Sequence, residues 1–135
     1  SYSLQFHFGT GMNFDGTGED AMTVKLTSRQ ALKLWHEALS ASLKAEGPDL
    51  SARQMAIFLQ VYLAPPPHTV RGLAAALRIS KPAVVRALDT LARADFTRRK
   101  RDETDKRNVL IQRTVKGSVF LSEFSDRVVA ASETL

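Results

Sequence analysis

The chain has 135 residues, about one domain's worth and enough to bury a core. Its 44% hydrophobic and 24% charged residues are an ordinary globular mix, and the lack of cysteine excludes a disulfide scaffold, a thiolate metal site and a thiol redox switch. The net charge of +5 is unevenly spread: Pro65 to Gly117 holds thirteen Lys/Arg against five Asp/Glu, leaving +8, and the remainder holds six against nine, leaving −3.

A one-sided basic block suits a polyanion, because cations near phosphates release condensed counterions. A solvated basic face is the plainer reading of the charge alone. No apolar run approaches a bilayer span, and the amino end lacks the basic patch and apolar core of a secretory signal. A cytoplasmic protein with no membrane partner is expected.

Residues 1–26 read as an extended, glycine-rich arm. Gly9, Gly11, Gly16 and Gly18 disfavour a helix. Tyr2, Leu4, Phe6 and Phe8 alternate with Ser3, Gln5 and His7 at the period of a strand. Met12 and Met22 are both plausible native starts. Thr27 or Ser28 can cap a first helix to about Ala45, with Ala31, Leu32, Trp35, Leu39 and Leu43 as a broad apolar stripe. Gly47-Pro48-Asp49 ends it. Ser51 caps a second helix, expected to bury Met55, Ile57, Phe58, Leu59 and Val61 and to stop before Pro65-Pro66-Pro67.

Thr69 caps a short helix through about Leu77, and Arg78-Ile79 forms a tight turn. Ser80 caps the next helix, to about Arg93, with Val84, Leu88 and Leu91 turned inward. Two helices joined in this way make a helix-turn-helix. Phe96 to Arg101 and Val109 to Gln112 read as strands around the polar turn Asp102 to Lys106, a β-hairpin wing with a charged tip. Thr114 caps a last helix carrying Phe120, Leu121, Phe124, Val128 and Val129. The expected fold is mainly α with a small β-hairpin wing. It is a winged helix-turn-helix over residues 27–135, with flanking dimerisation helices and the extended arm before it.

The stretch from Thr69 to Leu91, TVRGLAAALRISKPAVVRALDTL, resembles the helix-turn-helix of the MarR family of winged-helix regulators. Arg101 to Gly117, RDETDKRNVLIQRTVKG, resembles that family's wing, with an Asp-x-x-Asp-x-Arg signature at Asp102, Asp105 and Arg107 and a Thr-x-x-Gly helix start at Thr114 and Gly117. The second-helix opening, Leu50 to Gln54, also fits. The resemblance covers about residues 27 to 125. The sequence departs from it at Asp95, where the family has Gly, and at Arg113, where a leucine usually precedes the threonine. Asp tolerates the left-handed turn that Gly would supply. Only eighteen residues follow Gly117, where the family carries a long pair of dimer-building helices. Subunit contact is therefore expected from the first and last helices, helped by the arm.

The resemblance implies duplex DNA as partner, a homodimer, and release by a small aromatic effector near the dimer contact. Trp35 and His36 could border that effector, with Trp35 otherwise a core residue. On the recognition helix, Lys81, Pro82, Val85, Arg86 and Asp89 would face the major groove. Arg86 suits guanine O6 and N7 or a phosphate, and Pro82 and Val85 suit thymine methyls. Thr69 and Ser80 cap helix ends that attract phosphate, and Arg71 is a further phosphate candidate. In the wing, Arg107 would enter the minor groove with Asp105 steadying its guanidinium. Of the run Arg98, Arg99, Lys100 and Arg101, alternation turns about half toward DNA, with Arg98 and Lys100 assigned there.

No catalytic residue, cofactor or metal is expected. His7, His36 and His68 are scattered, and no Gly-rich phosphate loop follows a strand. Asp102, Glu103 and Asp105 could suggest a cation site, but arginines and lysines surround them. The closest rival reading is a winged helix used for protein contacts without DNA.

Overall fold

Each helix among the described residues begins at a side chain that accepts a backbone hydrogen bond. A computed structural model describes residues 24–135. The strand pattern expected in the arm lies outside the described residues. Helix α1 (Ser28–Lys44) opens on Thr27, whose Oγ1 accepts from Gln30 N at 3.2 Å while Gln30 Oε1 accepts from Thr27 N at 3.0 Å. Helix α2 (Ala52–Leu63) opens on the same reciprocal box between Ser51 and Gln54. Thr69 caps α3 (Val70–Leu77), Ser80 caps α4 (Lys81–Arg93), and Thr114 Oγ1 accepts from Gly117 N at 2.9 Å at the start of α5 (Val115–Ser132). Pro82 sits in the first turn of α4, where its missing N–H has no intrahelical partner to lose.

The chain divides into two compact units. One runs from Ala45 to Glu123 and contains α2, α3, α4, the hairpin and the first half of α5. Its core is Ile57, Phe58, Val61, Leu73, Val84, Leu88 and Leu91, each under 2% exposed. Phe58 stacks on Phe96 and Phe120 and meets Tyr62 edge-on. Met55 and Leu59, expected in this core, are half-buried, and Tyr62 is buried instead. The inward face of α2 is Ile57, Phe58, Val61 and Tyr62. At about 100° per residue, Met55 and Leu59 stand a quarter turn or more away from its centre.

Tyr62 explains the Thr-x-x-Gly start of α5. Its hydroxyl donates to Phe96 O at 2.8 Å, with Thr114 O at 3.0 Å as the alternative acceptor, and accepts from Thr114 N at 2.9 Å. A Cβ on Gly117 would collide with the Tyr62 hydroxyl and the Phe96 carbonyl. Arg113, in place of the expected leucine, donates to Val61 O at 2.9 Å and Ala64 O at 3.1 Å and lies over the Tyr62 ring. It therefore satisfies carbonyls at the end of α2 that the helix itself leaves unpaired. Asp95 takes the left-handed conformation, φ 60°, as the turn after α4 requires.

Strands β1 (Thr97–Arg101) and β2 (Val109–Arg113) pair antiparallel, Thr97 opposite Arg113 and Arg101 opposite Val109. Phe96, expected in the first strand, precedes it. Its side chain is in the core and its amide closes onto Leu91 O at 2.9 Å.

In the second unit the described parts are α1 and residues 124–135. Lys33 Nζ donates to Thr134 O at 3.0 Å, and Thr134 Oγ1 donates to Glu37 at 3.1 Å. Ala38 and Ala131 are buried, but Leu32, Trp35, Leu39 and Leu43 are exposed. Trp35 is thus not a core residue: it is 60% exposed, because no described residue of this unit covers the stripe it belongs to. No helix among the described residues is long and apolar enough to cross a membrane.

Candidate nucleic-acid interface

The wing and the start of α3 are joined through the backbone. Ile111 N donates to His68 O at 2.8 Å, which brings the residue after His68, the α3 cap Thr69, beside the hairpin. The two elements border a cleft of about 720 Å³ lined by Thr69, Val70 and Arg71 on one side and by Asp105, Arg107, Asn108 and Val109 on the other. The structure thus brings the sequence candidates Thr69 and Arg71 together with Asp105 and Arg107, across a wide separation in the chain. Thr69 Oγ1 is engaged by Gly72 N at 3.0 Å, so it shapes the helix end whose other amides face outward.

At the wing tip the Arg107 side chain is 93% exposed. Asp105 Oδ1 accepts from Arg107 N at 3.1 Å and lies 3.5 Å from Arg107 Nε. The carboxylate therefore folds the turn first and only brushes the guanidinium, which remains free to extend. Asp102 does similar work at the start of the same turn. Its Oδ1 accepts from the Thr104 hydroxyl at 2.7 Å and the Thr104 amide at 2.9 Å, and these bonds hold its carboxyl below its ordinary pKa. Asp102 and Asp105 are therefore both occupied as turn builders.

On α4, Lys81, Pro82, Val85 and Arg86 are exposed opposite the buried Val84, Leu88 and Leu91, as the periodicity predicts. Ser80 Oγ accepts from Ala83 N at 3.2 Å. Asp89, expected on the same open face, is already paired: Arg99 Nη2 reaches its Oδ1 at 2.8 Å and lies 3.4 Å from Val85 O. Arg99 thus ties the wing to α4. Alternation then puts Arg98 and Lys100 on the other face of the hairpin, where Arg98 Nε donates to Gln112 Oε1 at 3.2 Å. The structure does not bring those two to α4. Phe96 and Thr97 are buried in succession, so the parity of the strand runs from Thr97 and not from Phe96. Arg99 and Asn108 were missed as members of this surface. The signal for Arg99 was Asp89, an acidic residue on a face otherwise built of cations and small apolar groups. Trp35 and His36 are exposed neighbours on α1.

Helix, turn, helix and a paired β-hairpin beside an exposed basic face define a winged helix-turn-helix protein. Residues 50–109, from just before α2 to the first residue of β2, match the MarR family model. The fold is shared with a mutant of MepR from S. aureus, at 20% identity, 82% coverage of each chain and a TM-score of 0.64. The S. aureus MepR–DNA complex is similar at 21% identity, covering 79% of this chain and 82% of that one, TM-score 0.63. CouR, a transcriptional repressor bound to a 23-mer DNA duplex, is similar at 24% identity, covering 78% of this chain and 72% of that one, TM-score 0.63. No curated protein matches the chain.

Proposed function

We propose that the chain is a sequence-specific, duplex-DNA-binding transcriptional regulator that acts as a homodimer. Helix α4 lies in the major groove and Arg107 enters the minor groove. One observation carries this reading. Within the +8 segment, Arg71 and Arg107 border one cleft, and Lys81 and Arg86 are exposed on α4, which Arg99 ties to the wing. In this reading Arg86, Pro82 and Val85 meet base edges. Thr69, Arg71, Ser80 and Lys81 position the backbone, and Arg98 and Lys100 reach phosphates that flank the wing. The solved DNA complexes of MepR and CouR, which share the fold, support it.

The exposed Leu32, Trp35, Leu39 and Leu43 support the homodimer, since a second copy would cover a stripe that no described residue of its own unit covers. Two copies would read half-sites about 34–36 Å apart. An aromatic effector bound beside the same stripe would quench Trp35, the sole tryptophan, and release DNA.

The test is Arg107→Ala in a salt titration on a mixed-sequence duplex. The wild type gives a steep log–log plot. The variant loses roughly 1–3 kcal/mol of binding with an unchanged melting temperature. A flat wild-type plot would leave the protein-contact winged helix as the better reading.

A further inference from the structure

A second cleft, of about 680 Å³, lies within the same unit between the first turn of α2 and the exposed flank of α4. Three arginines border it: Arg53 from α2, and Arg86 and Arg93 from α4. All three are exposed, and none is paired with a carboxylate among the described residues. Only one acidic residue, Asp89, lines the cleft, and its charge is taken by Arg99 at 2.8 Å. Ser51 and Gln54 at the rim are locked in their own capping box. What remains unsatisfied is therefore cationic: planar guanidinium forks with nothing inside the protein to hold. Such groups recognise phosphate oxygens.

The cleft is continuous with the reading face of α4, because Arg86 belongs to both. Arg86 and Arg93 are two turns apart on one flank, about 10.5 Å along the axis. If the amino end of α4 points at base edges, its carboxyl end rises toward the sugar–phosphate chain at the groove wall. The geometry points to this cleft as a phosphate clamp for the DNA strand that borders the major groove, with Arg53 and Arg93 as its contacts and Arg99 as the positioning residue that keeps Asp89 from repelling the strand. It rests on the proposed docking of α4 on DNA. It adds a third anchor, beyond recognition helix and wing, that neutralises charge without reading sequence.

The experiment is a salt titration of the full chain on a mixed-sequence duplex, for wild type, Arg53→Ala/Arg93→Ala, and Arg53→Lys/Arg93→Lys. Each protein is first checked by thermal melting. The alanine pair should flatten the log–log slope by about 0.9 for each phosphate released, a loss of some tens-fold in affinity near 0.1 M salt if both contacts go. Its relative preference among sequences should not change. The lysine pair should keep the wild-type slope. A folded alanine variant with the wild-type slope overturns the clamp, and so does a lysine variant that falls as far as the alanine one. A flat wild-type plot would instead remove the DNA reading on which the clamp rests.

Discussion

Helices α4 and α1 carry apolar stripes of the same kind and meet opposite fates. On α4, Val84, Leu88 and Leu91 are 0%, 1% and 0% exposed. On α1, Leu32, Trp35, Leu39 and Leu43 are 72%, 60%, 45% and 69% exposed. Spacing alone does not distinguish them, since both repeat at intervals of three and four. The difference is in what the fold supplies opposite each stripe. Helix α4 is met by α2, α3 and the wing, whereas α1 buries only Ala38 against the described residues of its own unit. Periodicity reports that a face is apolar; it does not report which molecule covers it.

Substitutions should separate the two helices. The largest effect is expected at the covered stripe. Leu88→Ala leaves a cavity in a filled core and should cost about 2–5 kcal/mol in chemical denaturation. A loss below about 1 kcal/mol would mean that the α4 stripe is no better covered than that of α1. Next comes the junction beneath α4. Gly117→Ala forces a methyl group against the Tyr62 hydroxyl and Phe96 carbonyl and should cost about 1–3 kcal/mol. Pairing it with Tyr62→Phe should give less than the sum, because one collision partner is gone.

The α1 stripe should behave the other way. Leu39→Ser with Leu43→Ser should change the stability of the dilute, monomeric chain by no more than about 0.5 kcal/mol. Sedimentation should nonetheless show the proposed dimer dissociating at protein concentrations where the wild type stays associated. Equal dimers in both proteins would mean that the stripe has no subunit role. The smallest effect is at the wing tip. The Asp102 carboxyl is held below its ordinary pKa, so its bonds to Thr104 stabilise the turn above the unfolded value, about 3.9, and fade as pH falls through the lower folded one. Asp102→Asn should flatten that acid limb in wing-tip NMR shifts while leaving global melting at neutral pH unchanged.

The elements were legible because each start has a local cause. Ser51, Thr69, Ser80 and Thr114 cap within three residues, and Asp95 marks its turn by a tolerance of its own backbone. The features that escaped are those whose reason lies far along the chain. Tyr62 is absent from the residues that the spacing of α2 buries, and its reason appears only where partners at Phe96 and Thr114 meet its hydroxyl. Arg113 stands in the sequence as a departure from the usual leucine with no local reason, until the end of α2 claims it. At the candidate interface, Lys81, Pro82, Val85 and Arg86 followed from the inward stripe of α4. The choice of Arg99 over Arg98 and Lys100 depended on a strand parity set by Thr97 and Ile111 in the core.

The Tyr62 hydroxyl also governs how the hairpin can open. Its partners lie 34 and 52 residues away, and they sit at the two feet of the wing. The feet cannot separate by fraying, because releasing the Thr114 amide means withdrawing a buried ring that packs edge-on against Phe58. The tip has no such tie: the Asn108 amide bonds only to Asp105 O, three residues back. Amide exchange should therefore be graded along one short hairpin. The tip should exchange through local opening, while the Thr114 amide exchanges at the rate set by unfolding of the whole unit.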